Sequence, residues 1–265
     1  MDLQNVWLSF FLTSLGGLTT VIGGLIAVSG RKPGGRLLSL SMGFAAGIML
    51  FVSFTEMLAE SREHFSRALS GDLPVEGATF LAFFGGMILV AVASALLPEE
   101  AHSHVHVHEC GGHHGTSLYR TGLITAAAIS LHNLPEGLAT FSATTAGLSL
   151  GLPLIIAVTL HNIPIGLSIA LPVYAATGKK RRAVLISLLA GLVTVIGAGI
   201  GVLLLGSGGN DLLMGALMGA VAGIMVVVAL GELYPAAREH GSERSALYSL
   251  IAGMIFMAGA MLFLG

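Results

Sequence analysis

The stretch ITAAAISLHNLPEGLATF, residues 124–141, is apolar along most of its length yet holds His132, Asn133 and Glu136. A second stretch, LHNIPIG at 160–166, repeats the His–Asn–x–Pro pattern 29 residues later, with Ile165 where the first copy has its glutamate. Both lie inside apolar runs long enough for a helix. A soluble core or a bilayer can surround such runs, and the choice between them decides the fold.

Composition favours the bilayer. The 265 residues are 54% hydrophobic and 10% charged, against about 25% charged in an ordinary soluble domain. Mean hydropathy is +0.88, and the 37 glycines supply the small side chains on which membrane helices pack closely. A crossing needs about 20 apolar residues. Eight such runs are legible, at about 6–28, 37–59, 77–97, 121–146, 151–175, 183–206, 211–233 and 246–264. Alternating segments of about ten residues, the mark of a barrel, are missing. The chain therefore reads as an all-α, polytopic membrane protein. One eight-helix transmembrane domain covers 1–265, with a His-rich connection at 98–119.

The formal net charge of −2 offers no electrostatic reason to expect nucleic acid. A single cysteine, Cys110, excludes an internal disulfide. The opening MDLQNVWLSF has no basic n-region or small-residue cleavage site, so it reads as mature chain.

Lysine and arginine set the orientation. Ten of the twelve fall in the odd-numbered connections: Arg31, Lys32 and Arg36; Arg120; Lys179 to Arg182; Arg238 and Arg244. The other side holds only Arg62 and Arg67. The positive-inside rule assigns the ten to the cytoplasm. Both termini are then extracytoplasmic in a multi-pass cell (inner) membrane protein, and the His-rich connection is cytoplasmic.

An acidic residue at the centre of a crossing costs about 2.5–3.5 kcal/mol on insertion scales. His132 and Glu136 are four residues apart and share a helix face. His161 holds the equivalent place in the next span, at a similar depth. The connection between the two spans is short, which makes them antiparallel neighbours whose motifs face each other. Two imidazoles and a carboxylate suit a borderline divalent cation such as zinc. Asn133 and Asn162 can add oxygen ligands or hold the ligands in place. Pro135 and Pro164 free the carbonyls of Leu131 and Leu160, so interrupted helices are expected there. Gly137 and Gly166 leave room for another helix. Ordinary interhelical hydrogen bonding accounts for one such histidine but poorly for a duplicated motif.

These residues carry a resemblance. HNLPEG followed one span later by HNIPxG resembles the ZIP (zinc–iron permease) family. RLLSLSMGFAAGIMLFVSFTEML (36–58), LHNIPIGLSIALPVYAATGKKRRA (160–183) and AVAGIMVVVALGELYP (220–235) are similar to its bacterial zinc transporters. The resemblance implies eight spans, outward termini, a cytoplasmic His-rich loop and movement of divalent metal toward the cytoplasm. It assigns metal contacts to His132, Asn133, Glu136, His161 and Asn162. It also implies a carboxylate in the fifth-span motif and another in the sixth span, where this chain has Ile165 and Thr194. The expected site is thus a one-metal version of a two-metal design.

His102, His104, His106, His108, His113 and His114, with Cys110 among them, read as an auxiliary metal-collecting loop. Glu56, Glu60, Glu99, Glu100 and Glu232 lie near span ends, where interfacial placement explains them and a role at an entrance or exit is the alternative. The KKRR run at 179–182 reads as a topology anchor with anionic lipid within reach. The leading function is a carrier for Zn²⁺, with Fe²⁺, Mn²⁺, Co²⁺ and Cd²⁺ sharing its ligand preferences, no cofactor, and room for a homodimer. The alternative is a metal-binding sensor or low-activity paralogue. An enzyme of the zincin type would need His–Glu–x–x–His, which the chain lacks. A bis-histidine haem protein would leave Glu136 and both asparagines without a role.

Overall fold

A computed structural model describes residues 3–96, 114–204 and 211–264. Among these residues the elements are helical throughout. They are α1 (Leu3–Ser29), α2 (Gly35–Val52), a π-helical turn π1 (Ser53–Met57), α3 (Leu58–Ala68), α4 (Asp72–Leu96) and α5 (His114–Ala146). There follow α6 (Leu148–Thr177), α7 (Lys180–Leu204), α8 (Asp211–Val228), a second π turn π2 (Ala229–Leu233), α9 (Tyr234–His240) and α10 (Glu243–Leu264). Because α2–π1–α3 and α8–π2–α9 are continuous, these make eight rods.

Seven of the rods are long and apolar enough to cross a membrane by length and composition. The remaining one, α5, has 33 residues, more than a crossing needs. Two rods extend well beyond their sequence-read ends, to Gly35–Ala68 and Asp211–His240. Each passes through its π turn and continues as a more polar helix. Chemistry at the turns accounts for the widening. In π1, Ser53 Oγ donates to the Met49 carbonyl at 2.6 Å and Thr55 Oγ1 to the Phe51 carbonyl at 2.7 Å, so hydroxyls satisfy carbonyls of the disturbed ladder. After π2, Pro235 lies in the first turn of α9 without an N–H to give.

Interruptions at Pro135 and Pro164 do not occur. α5 runs through Pro135, and α6 runs through Pro153, Pro164 and Pro172. A proline removes one ladder bond and leaves the rest, and here adjacent helices press on both sides. The irregular backbone lies instead in the second and seventh rods.

Packing has an internal symmetry. α1 packs on α6 and α7, and α5 on α7 and α6; α2 packs on α10, and α8 on α4; α2 touches α6, and α8 touches α5. The pattern is unchanged when α1 is exchanged with α7, α2–α3 with α8–α9, α4 with α10, and α5 with α6. Glycines repeat it at each crossing. A Cβ on Gly137 of α5 would strike the Thr194 carbonyl of α7, and one on Gly197 of α7 the Leu134 carbonyl of α5. Gly166 and Gly23 do the same between α6 and α1, Gly47 and Gly253 between α2 and α10, and Gly86 and Gly223 between α4 and α8. With lipid outside, close backbone approach rather than water exclusion drives such packing. The result is two groups of helices, with α5 and α6 central to one of them.

Candidate metal centre

α5 and α6 are joined through Gly147 alone, so they return against each other as antiparallel neighbours. His132 is residue 19 of the 33 in α5, and His161 is residue 14 of the 30 in α6. Matched depth brings the motifs together, as the sequence leads one to expect. One helical turn places Glu136 beside His132, and the α5–α6 contact brings His161 to both.

His161 Nε2 lies 2.6 Å from Glu136 Oε1, and His132 Nε2 lies 3.9 Å from the same oxygen. The imidazole centroids are 6.2 Å apart. One donor atom from each of the three residues falls within 4.8 Å of the other two. All three side chains are at most 3% exposed. With Glu136 ionised, the short contact has His161 Nε2–H donating to the carboxylate. Both His132 nitrogens, His161 Nδ1 and Glu136 Oε2 have no hydrogen-bond partner in the protein. Buried polar atoms are ordinarily paired, so unpartnered atoms on all three residues of one cluster are a feature that a bound cation would explain.

The asparagines take a mixed role. Asn133 Nδ2 donates to the Ala190 carbonyl of α7 at 2.8 Å, and Asn162 Nδ2 to the Gly16 carbonyl of α1 at 3.5 Å. Each amide is thereby tied to the helix that packs behind it, again in the symmetric pattern. Both Oδ1 atoms are buried without a partner. An oxygen on a fixed amide can contact a cation or orient one.

Ile165 and Thr194 are fully buried. Ile165 belongs to the apolar core, one helical turn after His161. Thr194 lies where α7 crosses α5, its carbonyl against Gly137, and its hydroxyl has no partner. Thr13, Thr125 and Thr140 also carry buried, unpartnered hydroxyls. Thr125 and Thr140 stand 7 residues before His132 and 4 after Glu136, so α5 presents a polar stripe along one face.

Sequence reading placed Glu56 at a span end, where hydration explained it. The structure carries α2 past that point, and Glu56 on π1 comes within electrostatic reach of His161 and Glu136. Its Oε2 is buried and unpartnered. Glu60, one turn on, is in reach of Glu56 and Glu136. The only advance signal was the i, i+4 spacing of two acids in one rod. Glu232 is in π2, the counterpart of π1. Of the proposed metal-collecting histidines, His102, His104, His106, His108 and His113 lie outside the described residues, as do Glu99, Glu100 and Cys110. His114 opens α5, but its side chain is also outside them.

Comparison with known proteins gives this arrangement a context. The family of ZIP zinc transporters matches residues 94–265. The "Zinc transporter ZupT" of Clostridium perfringens is 42% identical over 98% of this chain and 97% of its own. That of Streptococcus mutans is 44% identical over 98% of each chain. That of Xanthomonas axonopodis pv. citri is 44% identical over 95% of this chain and 92% of its own. With relatives this similar over nearly its whole length, and with the helices and the His/Glu centre just described, the chain belongs to the ZIP family of transporters.

Proposed function

We propose that this protein carries divalent transition metal, zinc first, across the cell membrane toward the cytoplasm through the centre formed by His132, Glu136 and His161. The observation that carries the reading is the convergence of three buried residues from neighbouring helices, one donor atom of each within 4.8 Å of the other two. Asn133 and Asn162 complete the set through their free oxygens. Fe²⁺, Mn²⁺, Co²⁺ and Cd²⁺ share the ligand preferences and compete for the same place.

The short His161–Glu136 contact gives the chemistry of entry. Ligands at about 2.0–2.1 Å from a tetrahedral zinc stand roughly 3.3 Å apart. His161 and Glu136, at 2.6 Å, separate slightly; His132, at 3.9 Å from the same oxygen, closes in. With His161 doubly protonated beside the carboxylate, its Nε2 proton leaves to solvent as the cation takes the place between ring and carboxylate, and Nδ1 keeps its own. Binding therefore releases a proton, and uptake falls as pH falls. The unpartnered hydroxyls of Thr125 and Thr140 continue the polar stripe of α5 on either side of the centre, a route for a partly hydrated ion. Movement toward the cytoplasm is what the family resemblance implies, and the charge asymmetry of the connections supports both termini outside and the His-rich connection before α5 inside.

A second reading, a metal-binding sensor or low-activity paralogue, rests on Ile165 and Thr194, which withhold the carboxylates of a second metal position. Zinc flux into proteoliposomes separates the two. The carrier reading expects saturable uptake that drops about tenfold or more in His132→Ala, Glu136→Gln and His161→Ala while the proteins insert normally. Absence of flux in wild type with equilibrium zinc binding intact selects the sensor. Undiminished uptake by His161→Ala removes the centre from the transport route.

A further inference from the structure

The corner between α6 and α7 is a concentrated and uncompensated charge. α6 ends at Thr177, Gly178 turns the chain in the left-handed region at φ +66°, and α7 starts at Lys180. Lys179, Lys180, Arg181 and Arg182 are all exposed. Among the described residues none of the four is paired with a carboxylate, whereas Arg62, Arg67 and Arg238 each have an acidic partner. Two of the four are held rather than free. Lys180 Nζ lies over the Tyr174 ring of α6, 5.9 Å from its centroid, and Arg182 Cζ over the Tyr119 ring of α5 at 5.7 Å. Ring contacts attract the cation and restrict its side chain, so less ordering remains to be done when an anion arrives.

The surface directly below is apolar. Leu185 lines the same recess as the four basic residues. Leu185, Leu189 and Ile196 are 52%, 54% and 56% exposed, and their spacing sets them in one line down α7. A cationic cluster at the mouth of a hydrocarbon-facing strip is complementary to an amphiphile with an anionic head and an acyl tail. A free phosphate ion would use only the upper half of this surface.

We infer that the α6–α7 corner binds an anionic glycerophospholipid, its phosphate between Lys180, Arg181 and Arg182 and an acyl chain along Leu185, Leu189 and Ile196. The lipid attaches to the helix group that contains His132, Glu136 and His161, and the inference holds whichever way the chain faces.

Titration of the purified full-length protein, read by native mass spectrometry, tests it. The probes are phosphatidylglycerol, phosphatidylcholine with the same chains, and inorganic phosphate. Phosphatidylglycerol should occupy one site about tenfold or more tightly than phosphatidylcholine. Lys180→Gln and Arg182→Gln should each weaken it about fivefold. Tyr119→Leu, which keeps every charge and hence the topology signal, should weaken it about threefold. Lys32→Gln removes the same charge elsewhere and should change nothing. Equal affinity for phosphatidylcholine, an equal loss in Lys32→Gln, undiminished binding in the Lys180→Gln/Arg182→Gln double variant, or displacement of the lipid by equimolar phosphate would each overturn the assignment.

Discussion

Ile165 is where a single side chain alters the stoichiometry of the centre. It is fully buried, one helical turn after His161, and its volume resembles that of glutamate. Ile165→Glu would place a second carboxylate on the α6 face that bears His161, where it would face Glu136 across the α5–α6 pair. Without metal, two carboxylates in one buried site repel, by about 3 kcal/mol at 5 Å and an effective dielectric near 20. A divalent cation between them reverses that interaction. The expected outcome is a rise from one to two metals per chain in protein lacking residues 102–113, counted at equilibrium on purified material. Thr194→Glu strengthens the second position from α7. Two metals already bound by the unaltered membrane region would disprove the one-metal reading. Transport need not improve, since tighter holding slows release.

At the scale of elements, the π turns matter most, and they were the part that sequence reading could not reach. The rods themselves were legible because a crossing demands an apolar run of known length. The His132–Glu136–His161 set was legible because polar residues deep in such runs need partners and helical spacing says which share a face. A π turn leaves no comparable trace: one extra residue in a turn shifts the face by about 100° without changing composition. Glu56 was therefore read first as an interfacial acid, with an entrance or exit role as the alternative, although on π1 it comes within electrostatic reach of His161 and Glu136. Pro135 and Pro164 misled in the opposite sense, since a lost N–H is visible in sequence while the neighbouring helices that preserve the rod are not. If π1 sets Glu56 to draw the cation inward, Glu56→Gln should raise the apparent KM for zinc about fivefold, equivalent to roughly 1 kcal/mol, with kcat nearly unchanged. Proteoliposome uptake over a zinc series measures both. An unaltered KM would return Glu56 to a structural role in the turn.

The whole molecule combines a symmetric scaffold with an asymmetric site. Exchange of α5 with α6 maps Gly137 onto Gly166 and Asn133 onto Asn162, and their contacts with α7 and α1 correspond. Glu136 has only Ile165 as its counterpart, so the charge of the centre belongs to one half. Charge is asymmetric across the membrane as well, with ten of the twelve basic residues in the odd-numbered connections. That distribution, together with eight rods, predicts that the connection before α5 faces the cytoplasm. The chain supplies its own reporter, since Cys110 is its single cysteine. A membrane-impermeant maleimide should label Cys110 in inverted vesicles and leave it unlabelled in intact spheroplasts until they are permeabilised. Zinc should slow the labelling if the surrounding histidines gather metal, because a thiolate engaged by the ion is a poorer nucleophile. Labelling in intact spheroplasts would invert the whole assignment, placing the collecting histidines at the entrance and requiring the cation to meet them before it reaches His132, Glu136 and His161.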